Sequence, residues 1–331
     1  MNSSPLADKL VVITGAAGFI GSCMARFLND QGMCKLVLVD DVGRSDRWKN
    51  LLGKQCVAFL SRHELFDWLK GRHSEIGAFI HLGACSDTTE TDGDLLMQIN
   101  FGYTVRLAEY ALTHRIRFIY ASSAATYGAG ELGFSDDESL LKQLTPLNLY
   151  GFSKAYFDSW AQQNGVLDQV VGLKYFNVFG PNEHHKGAMA SMVYKMVPLV
   201  QSEGVIRLFK STDPERFPDG DQCRDFIYVK DAVRLSAAFL QNTVSGIFNI
   251  GSGEMTTWNQ LALAVFHALN RPPRIEYIEM PSGLKKQYQN YTRADMQKYR
   301  RRMQTETVCA FSLQEAVDDY VKNYLVPGNR W

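Results

Sequence analysis

The 331 residues are 46% hydrophobic and carry 35 basic against 35 acidic side chains, enough for one or two domains with a sizeable core and no bulk attraction to nucleic acid or membrane. No apolar run approaches 18 residues and the N-terminus lacks the charged, apolar and small-residue succession of a signal peptide, so a cytoplasmic protein is expected. The six cysteines (Cys23, Cys34, Cys56, Cys85, Cys223, Cys309) are scattered without a C-x-x-C pair, and Glu183-His184-His185 lacks spaced partners, which argues against disulfide staples and against a metal site.

Lys9 to Thr14 is a short apolar, β-branched run that reads as a buried parallel strand. Gly15, Gly18 and Gly21 follow at once, with Phe19 and Ile20 opening an amphipathic helix through about Asn29. In such a unit the first glycine permits the tight turn, the second lets backbone approach a pyrophosphate and the third allows helix to pack on strand, with the helix N-terminus facing the phosphates. The spacing is G-x-x-G-x-x-G, which meets the general dinucleotide fingerprint only approximately. The next strand, Lys35 to Asp40, ends in a carboxylate placed to meet a ribose. Asp40 suits a free 2′-hydroxyl and NAD, whereas Arg44, Arg47 and Arg62 suit a 2′-phosphate and NADP; both stay open on these residues alone.

Strands over 78–82, 117–122 and 170–175, separated by helical patterns such as 95–113 and 149–163, predict an α/β doubly wound parallel sheet of the Rossmann kind. After Gly180 the alternation stops. The segment from Asn182 to Asp221 is rich in Pro, Gly, His and charge, and its helix, expected over 188–201, falls outside the repeating unit. A strand over 246–251 should rejoin the sheet, before helices near 258–269 and 312–324. The expectation is a dinucleotide-binding domain of residues 1–180 plus about 226–252, and a smaller discontinuous α/β substrate domain of about 181–225 plus 253–331.

The chemistry concentrates at Tyr150 and Lys154, four residues apart on one predicted helix face. A phenol with a pKa of about 10 must fall by roughly 3 units to ionise near neutrality, about 4 kcal/mol. One ammonium at about 4 Å supplies on the order of 4 kcal/mol at an effective dielectric near 20, so Lys154 could activate Tyr150 or hold a ribose beside it. Ser123 stands where a strand leaves the sheet, at the edge where such folds bind ligands, and its hydroxyl could bridge Tyr150 and a substrate hydroxyl. Asn177 and Val178 should line the nicotinamide side, and Asn100 reads first as support for local backbone.

Several longer runs are more particular: 83–86 (Gly83, Ala84, Cys85, Ser86) with Thr88-Thr89-Glu90, 120–128 around Ser123, 147–154 around Tyr150, 175–181 around Asn177, and 185–191 around Lys186. With the glycine run, they make nearly the whole chain resemble the extended short-chain dehydrogenases/reductases, and within these the ADP-heptose 6-epimerase family. The resemblance implies a second catalytic base at Lys186, paired with Tyr150 on the other side of the sugar carbon. An epimerase needs two, because removing and returning a hydride on opposite faces puts the proton in two poses. It further implies NADP, rather than NAD, against Gly15, Gly18, Phe19, Ile20, Gly21, Asp40, Asp41, Arg47 and Arg62, then Leu82 to Ser86, Asn100, Lys154, Val178 and Lys186. Substrate contacts are implied at Asn177, Ala188, Lys195, Phe209, Arg224 and Tyr288, with Arg224 on the substrate diphosphate. Asp231 is expected to cap the helix that follows it. Lys195 stands where the family commonly has histidine and Ala188 where it has serine, and the stretch from Lys210 to Cys223 is longer than expected.

The implied reaction is epimerisation of an ADP-sugar at C6 of an ADP-heptose by transient oxidation, in a homo-oligomer, with a pentamer as one form. A nucleotide-sugar dehydratase would need an Asp-Glu pair beside Ser123, where this chain has Ala124 and Ala125. A UDP-sugar 4-epimerase is the enzymatic alternative, and the Lys186 run argues against it. A redox-sensing cofactor-binding module is the non-enzymatic one; retention of Ser123, Tyr150 and Lys154 together favours an enzyme.

Overall fold

The computed structural model describes residues 8–285 and 288–331. Its strands are β1 (Leu10–Thr14), β2 (Leu36–Val39), β3 (Ala58–Leu60), β4 (Ile76–His81), β5 (Arg117–Ser123), β6 (Val170–Tyr175) and β7 (Asn177–Phe179). They continue as β8 (Ile206–Phe209), β9 (Cys223–Arg224), β10 (Phe226–Tyr228), β11 (Gly246–Ile250), β12 (Thr256–Thr257) and β13 (Ile275–Ile278). Seven of them form one sheet in the order β11-β6-β5-β4-β1-β2-β3, with every neighbouring pair parallel. The chain thus runs outward from β1 in one direction and from β4 in the other. At that reversal the carboxyl ends of β1 and β4 part and leave a crevice.

Residues of β1 alternate between the two faces. Val11 and Ile13 join Met24, Leu28, Val233, Val265, Val317 and Val321 in one apolar cluster, packed by the helices Phe19–Asp30, Val229–Ala237, Trp258–Ala268 and Leu313–Tyr320. Val12 joins Val37, Phe79, Leu107, Phe118 and Phe157 on the other face, under the helices Tyr103–Thr113 and Leu149–Gln163. Burial on both faces explains why β1 and β2 read as continuous apolar runs rather than alternating ones.

The doubly wound expectation holds, and β11 rejoins the sheet beside β6 as expected. Three two-stranded ladders lie outside it: β7 with β10, β8 with β13, and β9 with β12. The helix expected over 188–201 is displaced. A 3-10 turn at His184–Met189 comes first, Gly187 breaks it at φ +52°, and the helix runs Met192–Glu203 because the Ser191 side chain accepts from Tyr194 N and caps it. Asp231 does not cap its helix; it is buried in the first turn, where it accepts from Arg234 and from the backbone N–H of Ala310 and Phe311. Among the described residues, no helix is long and apolar enough to cross a membrane.

Candidate active site

A cavity of about 1350 Å³ opens at the carboxyl ends of β1, β4 and β5. Its first wall is the glycine turn. Gly15 has φ +70°, and a Cβ there would lie 2.6 Å from Gly83 N; a Cβ on Gly21 would lie 2.1 Å from Gly15 O. Both obstacles are backbone, so neither position admits a side chain. Gly18 is the N-cap of the helix Phe19–Asp30, no side chain caps that helix and no acidic residue sits in its first turn, which leaves its positive end to an anion. Asp40 Oδ2 accepts from Ala17 N at 2.9 Å and Oδ1 from Asp41 N at 2.8 Å, with Arg47 Nη1 3.6 Å away. Burial pushes the Asp40 carboxyl up, against the pull of Arg47. Arg62 Nε pairs with Asp41 at 2.7 Å.

The second wall comes from β5 and the helix Leu149–Gln163. Asn148 caps that helix by accepting from Gly151 N at 2.8 Å, and Gly151 has no side chain to hold it off the Ala125 carbonyl, 2.7 Å from where its Cβ would be. This close approach brings Tyr150 beside Ser123, both lining the cavity. Burial raises the Tyr150 phenol above its ordinary value, with Ser123 pulling the other way. Lys154 Nζ donates to the Ala121 carbonyl at 2.9 Å. Burial pushes its pKa down to about 8, with Asp158 pulling up. The expected lowering of the phenol by Lys154 is not found: burial dominates at Tyr150, Lys154 is not among the groups acting on it, and the ammonium is docked on backbone. Behind the wall Asp158 accepts from Tyr120 OH (2.8 Å) and Ser122 Oγ (2.7 Å) and pairs with the fully buried Lys174 at 2.9 Å. Lys154 and Asp158, one turn apart on the helix, are thus both fastened to β5, at Ala121 and Ser122.

Lys186 reaches the same cavity from the 3-10 turn His184–Met189, with its Nζ 5.4 Å from the centre of the Phe19 ring. Burial lowers its pKa, Glu183 raises it and Lys195 lowers it further. The turn is closed at its base by Glu183, which accepts from Ser191 N (2.5 Å), Ser191 Oγ (2.6 Å) and Tyr320 OH (2.9 Å).

A strand-end serine, a helix tyrosine-lysine pair, a second lysine and a glycine turn thus surround one cavity. Residues 11–251 match the model of the NAD dependent epimerase/dehydratase family. The chain belongs to that family.

Within it, the chain is 46% identical over 324 residues to an ADP-L-glycero-D-manno-heptose-6-epimerase from Nitratidesulfovibrio vulgaris, covering 96% of this chain and 98% of the relative. It is 44% identical over 328 residues to the protein of the same name from Fusobacterium nucleatum, again covering 96% and 98%. Among solved structures it is similar to the ADP-L-glycero-D-manno-heptose-6-epimerase of Helicobacter pylori, with TM-score 0.80 and 26% identity over 97% of both chains. The fold is shared with a UDP-N-acetylglucosamine 4-epimerase from Methanobrevibacter ruminantium, at TM-score 0.77 and 22% identity over 95% and 97% of the two chains.

The residues fit the nicotinamide dinucleotide that the family name implies. Arg47 Nε is buried without a hydrogen-bond partner, and the Arg47 guanidinium lies 4.0 Å from where a Cβ on Gly18 would stand. A donor without an acceptor beside an uncapped helix start is what a phosphate-bearing ligand would complete.

Of the cofactor-side residues anticipated from sequence, all but Arg44 and Asn100 line the cavity, as do Ser123, Tyr150, Asn177 and Lys195. Asn100 stands behind the wall in a π-helical stretch, where its side chain accepts from Cys85 N (2.8 Å) and donates to Cys85 O (2.9 Å) and so shapes the 83–86 loop. Ala188, Phe209, Arg224 and Tyr288 are also outside the lining. Ala188 is exposed and offers its carbonyl to Lys195 Nζ at 2.6 Å. Phe209 closes β8, and its carbonyl accepts from Gln222. Arg224 lies between the rings of Tyr288 (4.9 Å) and Trp258 (5.7 Å), and residues 286 and 287 of the run before Tyr288 lie outside the described residues. Trp258 itself lines the cavity, donates to Tyr288 OH at 2.9 Å and was not anticipated. Neither was His81, which is buried between Thr14 Oγ1 (2.6 Å) and Thr104 Oγ1 (2.9 Å). Burial holds it neutral, with its pKa down to about 3. Both came from apolar patterns that read as ordinary helix and strand.

Proposed function

We propose that this chain is a 6-epimerase of ADP-glycero-manno-heptose, inverting C6 by transient oxidation and return of the hydride. The observation that carries it is the pair of Tyr150 and Lys186, delivered to one cavity by two separate elements, in a chain that matches the named heptose epimerases along nearly its whole length. Bound along the glycine turn, a nicotinamide cofactor supplies a hydride acceptor that is restored at the end of each turnover. Gly15 and Gly21 would shape the turn, Gly18 at the helix start would let its phosphates approach, and Arg47 and Arg62 would supply charge for a 2′-phosphate, so NADP is the proposed form.

The chain's own groups handle the proton. Ser123 orients the reacting hydroxyl against Tyr150, which takes or returns its proton in one pose of the sugar. Lys186, whose ammonium is weakened by burial, does so in the other. Lys154, poised near pH 8, stays mostly protonated at neutrality and holds the ribose side of the cavity. Residues 1–180 plus 226–252 serve the cofactor in this reading, and 181–225 plus 253–331 the substrate. A homo-oligomer in the cytoplasm, with a pentamer as one form, completes the proposal.

Proton NMR of ADP-D-glycero-D-manno-heptose and of UDP-galactose incubated with the protein tests the reading. Inversion at C6 of the heptose is expected, and inversion at C4 of UDP-galactose alone would replace it with a UDP-sugar 4-epimerase. Denatured protein should release NADP; release of NAD alone would overturn the cofactor choice.

A further inference from the structure

Two buried asparagines that the chemistry does not use join the glycine turn to the turn that carries Lys186. Asn50 is 1% exposed and sits on the 3-10 turn Asp46–Leu51, which also carries Arg47. Its Nδ2 donates to the carbonyls of Ala17 and Asn182, both at 3.0 Å, and lies 3.3 Å from His185 Nδ1. Its Oδ1 accepts from Arg330 Nε at 3.0 Å. Ala17 belongs to the glycine turn, and His185 immediately precedes Lys186. Every polar atom of the amide is therefore engaged, on three separate stretches of chain.

Asn182 shows how firmly this joint is set. It has φ +76°, in the left-handed region that asparagine enters more readily than other non-glycine residues. Its side chain donates to Ser22 Oγ and to Trp331 O, both at 3.0 Å, and accepts from Trp331 N at 2.9 Å. Cys23 Sγ donates to Pro181 O at 3.4 Å. Residues 181–185 are thus bonded to the glycine turn and to the helix Phe19–Asp30 behind it, whereas Glu183 closes the same loop on Ser191.

We propose that Asn50 is a positioning residue for the second base: it ties the Lys186 turn to the glycine turn, so that Lys186 is presented in register with the cofactor side of the cavity. The inference rests on the role given to Lys186 above. The amide is suited to the task because it offers donors toward two carbonyls and an acceptor toward a guanidinium; a carboxylate offers no donor and an alkyl group offers neither.

The test uses full-length holoprotein carrying Asn50→Ala, and Asn50→Asp as a variant of nearly the same shape should the first fail to fold. The turnover number for ADP-heptose should fall about 10- to 100-fold, the scale of a base displaced by about an ångström, with KM and bound cofactor unchanged. Brief acetylation read by mass spectrometry should find Lys186 several-fold more reactive and Lys195 unaltered. A folded variant with unchanged turnover and unchanged Lys186 labelling overturns the proposal. So does a variant in which Lys186 and Lys195 labelling rise together, since that is general loosening. If the unsubstituted protein does not epimerise ADP-heptose, the function reading fails, and Lys186 labelling alone then decides the role of Asn50.

Discussion

In the proposed reaction Tyr150 and Lys186 divide one task, and single-residue changes separate it from binding. Tyr150→Phe removes a hydroxyl and keeps the ring; Lys186→Met keeps the length and removes the charge. Each should lower epimerisation by at least about a hundredfold, the upper part of the range for a positioned acid or base, while cofactor stays bound. Full activity in either would refute the pairing, and an NMR assay with absorbance of bound cofactor reads both quantities. Arg47 provides a separate check on the cofactor. Its Nε is buried and unpartnered, so Arg47→Gln should weaken NADP more than NAD, by about tenfold or more for a charge-assisted contact of about 1.5–3 kcal/mol. Titration of each dinucleotide into stripped protein measures the difference, and equal weakening would detach Arg47 from the 2′-phosphate.

At the scale of elements, the glycine turn tolerates the least. A methyl on Gly21 would press on the Gly15 carbonyl at 2.1 Å, so Gly21→Ala must shift the helix Phe19–Asp30 away from β1. The expected outcome is loss of bound cofactor and destabilisation by about 2–4 kcal/mol, in the range for overpacking and backbone strain; a variant that keeps its cofactor and melting temperature would disprove so tight a fit. This turn was legible in the amino-acid sequence because strand, glycines and helix are local, and the helix Leu149–Gln163 was legible for the same reason. The edge strand β3 was not, since Phe59 is exposed and its flanking residues are only half-buried. Neither was the β8–β13 ladder, whose two strands lie far apart in the chain. Asn50, His81 and Trp258 take their meaning from partners many residues away, and no spacing or periodicity announces them. Tyr150 and Lys154 were found by spacing, but which group the ammonium would touch depended on the Ala121 carbonyl, from another strand.

For the molecule as a whole, three histidines contribute to the response to acid. His81 is held neutral with a pKa of about 3, and His184 and His185 with pKa values of about 4, in each case chiefly by burial. Below the unfolded value of about 6.5 the unfolded chain takes up protons that the folded chain refuses. Stability present at neutral pH is therefore lost on acidification from 6.5 toward 4 for His184 and His185, and toward 3 for His81. Asp136, raised to about 6 by burial, works in the opposite sense between its unfolded value and 6, as do the raised carboxyls of Asp40, Glu183 and Asp225. His81→Gln removes one titration and should flatten the acid side of the stability curve by about 1.4 kcal/mol per pH unit. Chemical denaturation at pH 6.5 and 5 measures the slope, and an unchanged slope would show that His81 is not held neutral. The apolar cluster that carries both Val11 and Val321 has a further consequence. It packs residues from both ends of the chain into one core behind the cavity. With Tyr150 and Lys186 carried on separate elements of that core, the proposed inversion asks the sugar to turn between them, and the cavity of about 1350 Å³ in which it would turn is then as much a part of the reaction as any side chain around it.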